Sequence, residues 1–326
     1  MTADSPRLPG RRILVAGGHG QLGRWLSARG RAPVCEVLAP GRADLDLRDP
    51  AVVLAALRER RPSAVINAAA HTAVDAAEDG GEGEAAAFSI NVEGARNLAA
   101  ACAAESIPLL HVSTDYVSGA VAGEIAEPGF APALAATPPE EFDLSGLPAG
   151  TAGVYARSKW EGEKAVRTAH PGAAIVRTAW VYTGPARGAL GLAGSDFVAT
   201  MLRLEAERET VDVVSDQWGS PTFAGDLADG LLAAALRLAD GDGALEGAVF
   251  NAAGAGRATW FDVAAEVFAL AGADRERVRP VGTEDFPRPA PRPPFSVLSG
   301  DEWRRAGLPA LPGWRDAMRR AFLAAR

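Results

Sequence analysis

Residues 12–23 read Arg12-Ile13-Leu14-Val15-Ala16-Gly17-Gly18-His19-Gly20-Gln21-Leu22-Gly23, a short apolar run that breaks into glycines. The run has the length and character of a buried strand, and Gln21 to Arg29 then reads as a helix. Gly17, Gly20 and Gly23 follow the spacing G-x-x-G-x-x-G across the joint. Glycines there permit a tight turn, close approach of the backbone to a pyrophosphate, and close packing of helix on strand. The helix N-terminus adds N–H donors and partial positive charge. In a chain with 36 glycines the string alone is weak. Its place directly after the first strand favours a phosphate cradle over a plain Gly-rich turn.

Working outward, strand-like and helix-like segments alternate. Val34 to Leu38, Ala64 to Asn67, Leu109 to Ser113 and Ala174 to Trp180 read as strands. Asp49 to Arg60, with Val52, Val53, Ala56 and Leu57 expected on one face, reads as a helix, as do Ala85 to Glu105 and Tyr155 to Thr168. Repeated β-α units of this kind predict an α/β fold, a doubly wound parallel sheet covered by helices on both faces. Further on, Val211 to Val214 and Val249 to Ala252 read as strands. Asp226 to Leu238, Phe261 to Leu270 and Trp314 to Ala325 read as helices. Two stretches break the rhythm: Ser118 to Gly153 reads as a long loop, and the Pro-rich Arg277 to Pro294 as an extended surface segment. No internal repeat is present.

Composition narrows the function classes. The formal net charge is −8, with no long Lys/Arg block, which disfavours nucleic acid and anionic lipid as partners. Two cysteines, Cys35 and Cys102, make no disulfide framework, and a reducing cytoplasm is the expected compartment. Met1 to Arg12 lack the apolar core of a signal peptide, and no run approaches the ~18 apolar residues of a membrane span. Four histidines without ligand spacing and two distant cysteines predict no metal site. No G-x-S-x-G elbow or Walker sequence occurs.

The strongest chemical signal is Tyr155-Ala156-Arg157-Ser158-Lys159, in which Tyr and Lys share one helix face at i, i+4. With three Tyr and two Lys in the chain, a chance pair at this spacing has a frequency of roughly 0.02. An adjacent ammonium favours ionisation of a phenol, and bringing a pKa of ~10 towards 7 takes about 4 kcal/mol. The hydroxyl of Ser113-Thr114-Asp115-Tyr116, at a strand end, is placed to hydrogen-bond a substrate carbonyl. Asn67-Ala68-Ala69-Ala70 ends another strand at the edge where open parallel sheets bind ligands. Asp44-Leu45-Asp46-Leu47 offers a carboxylate to an adenine amino group or, equally, to a helix N-cap. The strand ending at Leu38 runs into Ala39-Pro40-Gly41-Arg42 without the acid that binds a free ribose. Arg42 is therefore either a fork for a 2′-phosphate, preferring NADPH over NADH, or a solvated turn residue.

Together these residues resemble the extended short-chain dehydrogenase/reductase superfamily and, more closely, the dTDP-4-dehydrorhamnose reductase family. The likeness covers nearly the whole chain: Gln21-Leu22-Gly23, Asp44-Leu45-Asp46, and Val65 to Asp75 with Glu78. It continues through Asn91-Val92, Asn97-Leu98-Ala99, Ser113 to Val117, Tyr155 to Glu163 and Val176 to Tyr182. Asp216 to Thr222, Asp226-Leu227-Ala228 and Arg288 to Pro293 complete it. His71, Ser118, Ala156 and Phe295 depart from the family's usual residues, and the interval between Thr114 and Tyr155 is longer.

The resemblance implies a Rossmann domain over residues 1–182, with 220–254 returning to it, and a nucleotide-sugar domain over 183–219 and 255–326. It implies Thr114, Tyr155 and Lys159 as the catalytic set, hydride transfer to C4 of a dTDP-4-keto-6-deoxyhexose, and NADPH (or NADH) as cofactor. Gly17, His19, Gly20, Gln21, Leu22, Gly23, Arg42, Asp46, Leu47, Ala68, Ala69 and Ala70 would hold the dinucleotide. Asp115, Tyr116, Trp180, Gln217, Arg288 and Arg292 would join Thr114 on the sugar nucleotide, and a homodimer is possible. The alternatives are a reductase of another nucleotide-activated 4-keto deoxysugar and a non-catalytic dinucleotide-binding regulatory subunit.

Overall fold

The pleat of the first strand sets the architecture. Ile13 and Val15 face one way, Leu14 and Ala16 the other, and all four are fully buried, so the strand needs helices on both sides. The computed structural model, which describes residues 10–30, 35–121, 134 and 153–324, supplies both layers. In chain order the first half is β1 (Arg11–Ala16), α1 (Gln21–Arg29), β2 (Cys35–Leu38), α2 (Pro50–Arg60), β3 (Ala64–Asn67), α3 (Gly81–Phe88), α4 (Ala95–Ala104), β4 (Leu109–Thr114), α5 (Asp115–Val121), α6 (Gly153–Ala169), β5 (Ala174–Thr178) and β6 (Val181–Tyr182). The second half is α7 (Phe197–Glu207), β7 (Val211–Val214), β8 (Trp218–Gly219), β9 (Thr222–Phe223), α8 (Ala224–Ala239), β10 (Val249–Asn251), β11 (Ala258–Thr259), α9 (Trp260–Leu270), β12 (Val278–Val281), α10 (Asp301–Arg305) and α11 (Trp314–Leu323).

Six strands form one parallel sheet in the order β10-β5-β4-β3-β1-β2. The chain turns outward in both directions from β1 and β3, so the switch point lies between them, where such sheets bind ligands. Ile13, Val15, Ile66, Leu110 and Val176 pack with Leu26, Leu227 and Leu231 of α1 and α8. Leu14, Val65 and Leu109 pack on the other face with Val53, Leu57 and Leu98 of α2 and α4. Each fully buried Leu or Ile contributes about 1.5–3 kcal/mol. Local signals fix the ends: Asp49 caps α2 by accepting from the Ala51 and Val52 N–H groups, and Thr259 and Asp262 form a capping box on α9. Three short ladders, β12·β7, β11·β8 and β6·β9, organise the chain beyond the main sheet.

Five expectations need correction. Val52 is 38% exposed, because the buried face of α2 is narrower than its apolar spacing suggests. The helix expected over Ala85 to Glu105 starts earlier and contains a π-helical stretch, Ser89–Gly94, where the backbone bulges towards α6. The strand expected to reach Trp180 stops at Thr178, since Trp180 is left-handed (φ 45°). Residues 118–121 of the expected loop are helical, and Gly153 already opens α6. Between them only Leu134 is described. It pairs with Leu298, donating to the Val297 carbonyl at 2.7 Å, and the rest of the expected loop lies outside the described residues. Of the Pro-rich segment, Val278–Val281 is a strand beside β7, residues 283–289 are exposed, and the chain is buried again at Ala290.

Candidate active site

The turn after β1 is glycine-rich because two other loops press against it. A Cβ on Gly17, which has φ +80°, would lie 2.7 Å from the Ala69 nitrogen, and one on Gly23 would lie 2.3 Å from the Gly17 carbonyl oxygen. Ala16 and Asn67 are in register, and the Ala68 N–H donates to the Ala16 carbonyl at 3.0 Å, so the ends of β1 and β3 meet at the switch point. Gly20 caps α1 without a side chain, which leaves the N–H groups of the first turn facing an open cleft. Gln21 is locked by two bonds, its Nε2 donating to the Val181 carbonyl at 2.9 Å and its Oε1 accepting from Arg187 Nη1 at 2.7 Å.

Beside the turn, the His19 ring lies on the backbone of Gly41, and Arg42 is 67% exposed with its Nε 3.9 Å from Asp46. Asp46 is held by Arg48, whose hydrogen bonds keep the carboxyl down at about 2. Leu47 is a core residue, and its carbonyl accepts from Asn97 Nδ2 at 3.0 Å. Of Arg42, Asp46 and Leu47, Arg42 is the most exposed.

Tyr155 and Lys159 sit one turn apart on α6. That helix is pinned at its start, where Glu78 Oε1 accepts from the Val154 N–H at 2.6 Å. It is pinned again by Asn91 of the π-helical stretch, whose Nδ2 donates to Ser158 Oγ at 2.9 Å while Ser158 Oγ donates to the Tyr155 carbonyl at 2.8 Å. A Cβ on Gly162 would lie 2.1 Å from the Asn91 carbonyl oxygen, so the bulge and the glycine fit each other. Thr114, at the end of β4, donates to Asp115 Oδ1 at 3.1 Å, and Tyr116 meets Tyr155 edge-on with centroids 5.2 Å apart.

Tyr155 and Lys159 are only 8% and 2% exposed. Burial pushes the Tyr155 phenol up to about 12, partly offset by its hydrogen bond with Thr114. The phenol is thus not brought towards neutrality as the spacing suggested. Desolvation dominates, and Lys159 Nζ donates to the Val112 carbonyl at 3.0 Å. Burial pulls Lys159 down to about 8 against the opposing charge of Glu163. Glu163 is itself in a fully buried bidentate pair with Arg177, at 2.9 and 2.6 Å. Asp115 is raised to about 6 by burial. His111 is held neutral by burial and by the Lys159 charge, its Nδ1 accepting from Asn67 Nδ2 at 3.0 Å.

Tyr155, Lys159 and Asp115 line a cleft of about 590 Å³ together with Gly20, Gln21, Leu22, Ala68, Ala70, Thr114, Tyr116 and Trp180. A second cleft, of about 620 Å³, shares Phe197 and Trp260 with the first and holds Gln217, Arg288 and Arg292. There Asp75 Oδ1 accepts from Arg292 Nη2 at 2.9 Å and Asp75 Oδ2 lies 3.9 Å from Arg288, which in turn lies over the Phe286 ring. Gly17, Gly23 and Ala69 pack against one another outside both linings, and His19, Arg42, Asp46 and Leu47 also lie outside them. Sequence reading missed Arg187, Phe197, Trp260 and Arg208 in these walls. It also missed the buried, unpartnered hydroxyls of Ser113 and Thr178. No local sequence signal singles out Trp260 from the seven tryptophans of the chain. Among the described residues no cluster of His, Cys, Asp or Glu is suited to a metal, and no helix is long and apolar enough to cross a membrane.

Comparison with known proteins agrees with this geometry. The family described as RmlD substrate binding domain matches residues 11–326. The chain is 44% identical over 313 residues to the dTDP-4-dehydrorhamnose reductase of Mycobacterium tuberculosis (strain ATCC 25618 / H37Rv), spanning 96% of this chain and 93% of that protein. It is 43% identical over 312 residues to a probable dTDP-4,6-dihydroxy-2-methyloxan-3-one 4-ketoreductase of Streptomyces antibioticus, spanning 95% and 94%. The crystal structure of dTDP-4-dehydrorhamnose reductase from Bacillus anthracis in complex with NADP superposes with a TM-score of 0.78 at 32% identity, covering 96% of this chain and 99% of that one.

Proposed function

The chain belongs to the dTDP-4-dehydrorhamnose reductase family, and from that premise we propose that it reduces the C4 ketone of dTDP-4-dehydro-6-deoxy-L-hexose to dTDP-L-rhamnose with NADPH. The observation that carries this reading is a pair of neighbouring clefts that share Phe197 and Trp260 in their walls. They lead from the open first turn of α1, past Thr114, Tyr155 and Lys159, to the arginines around Asp75. The residues present fit a dinucleotide. At Gly20, which lines the cleft, a Cβ would meet only the Gly17 carbonyl oxygen, at 3.3 Å, so the turn is open to a phosphate there, and Ser113 and Thr178 bring unpartnered hydroxyls to the adjoining wall. When bound, the dinucleotide supplies hydride to the ketone carbon.

This chain's own residues supply the rest. Thr114 orients the carbonyl through a hydrogen bond to its oxygen. The Tyr155 phenol, with its pKa near 12, holds its proton at neutral pH and gives it to the developing alkoxide, a stronger base than a phenolate. Lys159, charged below about pH 8, holds the ribose and stabilises the phenolate left behind. The Val112 carbonyl and Glu163 keep that ammonium in place. Arg42 takes the 2′-phosphate through its planar fork, and Arg288 and Arg292 take the diphosphate of the sugar nucleotide. The division into a dinucleotide half (1–182 with 220–254) and a sugar half (183–219 and 255–326) belongs to the same proposal, supported by the pairing of β10 with β5. So does a cytoplasmic setting, which suits the two free, buried cysteines Cys35 and Cys102.

The 43% identity to the Streptomyces antibioticus protein favours a second reading, reduction of another dTDP-4-keto deoxysugar. NADPH oxidation measured with the purified protein on dTDP-4-dehydro-6-deoxy-L-lyxo-hexose, with the product identified by NMR, separates the two. dTDP-L-rhamnose supports the first reading, and absence of turnover refutes it.

A further inference from the structure

Trp180 is held more tightly than any catalytic requirement yet described explains. Its backbone is left-handed, with φ 45°, a conformation that bulky L-residues rarely adopt. Its carbonyl accepts from the Thr222 N–H at 3.2 Å. Its indole presses on the backbone of Gly219, where a Cβ would come within 2.2 Å of the ring. It is also stacked on Trp260, with centroids 3.6 Å apart and planes 6° from parallel. The antiparallel ladder of β8 with β11 pairs Gly219 with Ala258 and Trp218 with Thr259, so one small sheet sets both supports of the ring. Phe197, 4.6 Å from Trp260, backs the stack. Trp260 and Phe197 border both clefts, whereas Trp180 borders the one containing Tyr155.

We propose that Trp260 is a positioning residue: stacked on Trp180, it fixes that indole as a rigid wall for the hexose ring of the nucleotide sugar, at the boundary between the two clefts. The proposal rests on the functional reading above. A hexose carries hydroxyls around its rim and C–H groups on its faces. A flat, immobile indole matches a C–H face and leaves the polar rim to Thr114, Asp115 and Tyr155 in the same cleft. A wall that cannot swing also keeps the ketone oxygen within reach of the phenol, which is where positioning contributes to rate. Neither indole exchanges a proton with the substrate, so the effect falls mainly on binding of the sugar.

Trp260→Ala and Gly219→Ala disturb the same ring by different means, the first by removing its stacking partner and the second by driving a methyl into it. Both are expected to raise KM for dTDP-4-dehydro-6-deoxy-L-hexose at least tenfold. The Kd for NADPH and the Ki for free dTDP stay within twofold. The paired-indole couplet in far-ultraviolet circular dichroism disappears in Trp260→Ala and shifts in Gly219→Ala. Trp260→Phe keeps an aromatic support, so its sugar KM returns to within threefold of wild type although the couplet is absent. An unchanged sugar KM in either alanine variant overturns the proposal, as does a parallel loss of NADPH and dTDP binding, the mark of a merely structural role. Should Trp260→Ala fail to fold, Gly219→Ala and Trp260→Phe decide by the same criteria. If wild type itself does not oxidise NADPH with the sugar, the functional reading fails first and takes this proposal with it.

Discussion

Replacing Glu163 by Gln removes one charge from a buried group of three. Glu163 and Arg177 are fully buried and Lys159 is 2% exposed. Lys159 lies one helical turn before Glu163, and that carboxylate already offsets part of the burial that draws the lysine down to about 8. At a separation of roughly 6 Å and an effective dielectric of about 20, the attraction is about 3 kcal/mol, or about two pH units. Allowing for relaxation, Lys159 in the Gln variant should lose its proton about one to two pH units lower, and the alkaline limb of kcat/KM should move down with it. The same substitution removes the carboxylate to which Arg177 Nε and Nη2 donate at 2.9 and 2.6 Å. Breaking a buried ion pair by removing one partner costs about 3–5 kcal/mol. Urea denaturation reads the second effect and a pH–rate profile the first. The double variant Glu163→Gln/Arg177→Met separates them, because it should recover most of the stability while the limb stays at the lower pH. A single variant whose limb remains near that of wild type, or a double variant whose limb returns there, refutes the reasoning.

Three further outcomes follow from the same geometry. Tyr155→Phe should lower kcat by about 10²–10⁴-fold and leave the Kd for NADPH nearly unchanged, measured by stopped-flow turnover and fluorescence titration. Lys159→Met should abolish turnover yet stabilise the fold. The native pKa of about 8 lies below the unfolded 10.5, so the charged lysine opposes folding by about 3 kcal/mol below pH 8. Wild-type stability should therefore rise between about pH 8 and 10.5, and a rise of equal size in the Met variant would count against this assignment. Arg42→Ala should raise KM for NADPH about tenfold and leave KM for NADH unchanged, because a charge-assisted fork to a phosphate contributes about 1.5–3 kcal/mol; equal effects on both cofactors would remove Arg42 from the 2′-phosphate.

Much of the fold was legible because period-2 and period-3.6 patterns act locally. α1 was read at its observed ends, Gln21–Arg29, and β3 at Ala64–Asn67. Where reading failed, a tertiary contact had overridden a local pattern. The π-helical bulge at Ser89–Gly94 exists because Asn91 reaches Ser158 and His71 on other elements, which no periodicity within that helix encodes. Trp180 leaves the extended conformation because Gly219 and Trp260, 39 and 80 positions later, fix its ring. In the site, Tyr155 and Lys159 were visible from spacing alone. The direction of the Tyr155 shift was not, since burial depends on what covers the helix. Arg187 was invisible for a related reason: only the folded chain brings it to Gln21, 166 positions earlier.

The measurement that bears most directly on the central claim is the fate of the transferred hydride. Purified protein is supplied with NADPH deuterated at the reactive position of the nicotinamide and with dTDP-4-dehydro-6-deoxy-L-lyxo-hexose, and the product sugar is examined by NMR. The account predicts dTDP-L-rhamnose carrying deuterium at C4, formed in step with cofactor oxidation, and none from the Tyr155→Phe variant at comparable times. Deuterium at another carbon, or tight NADPH binding without any oxidation when the sugar is present, would contradict it.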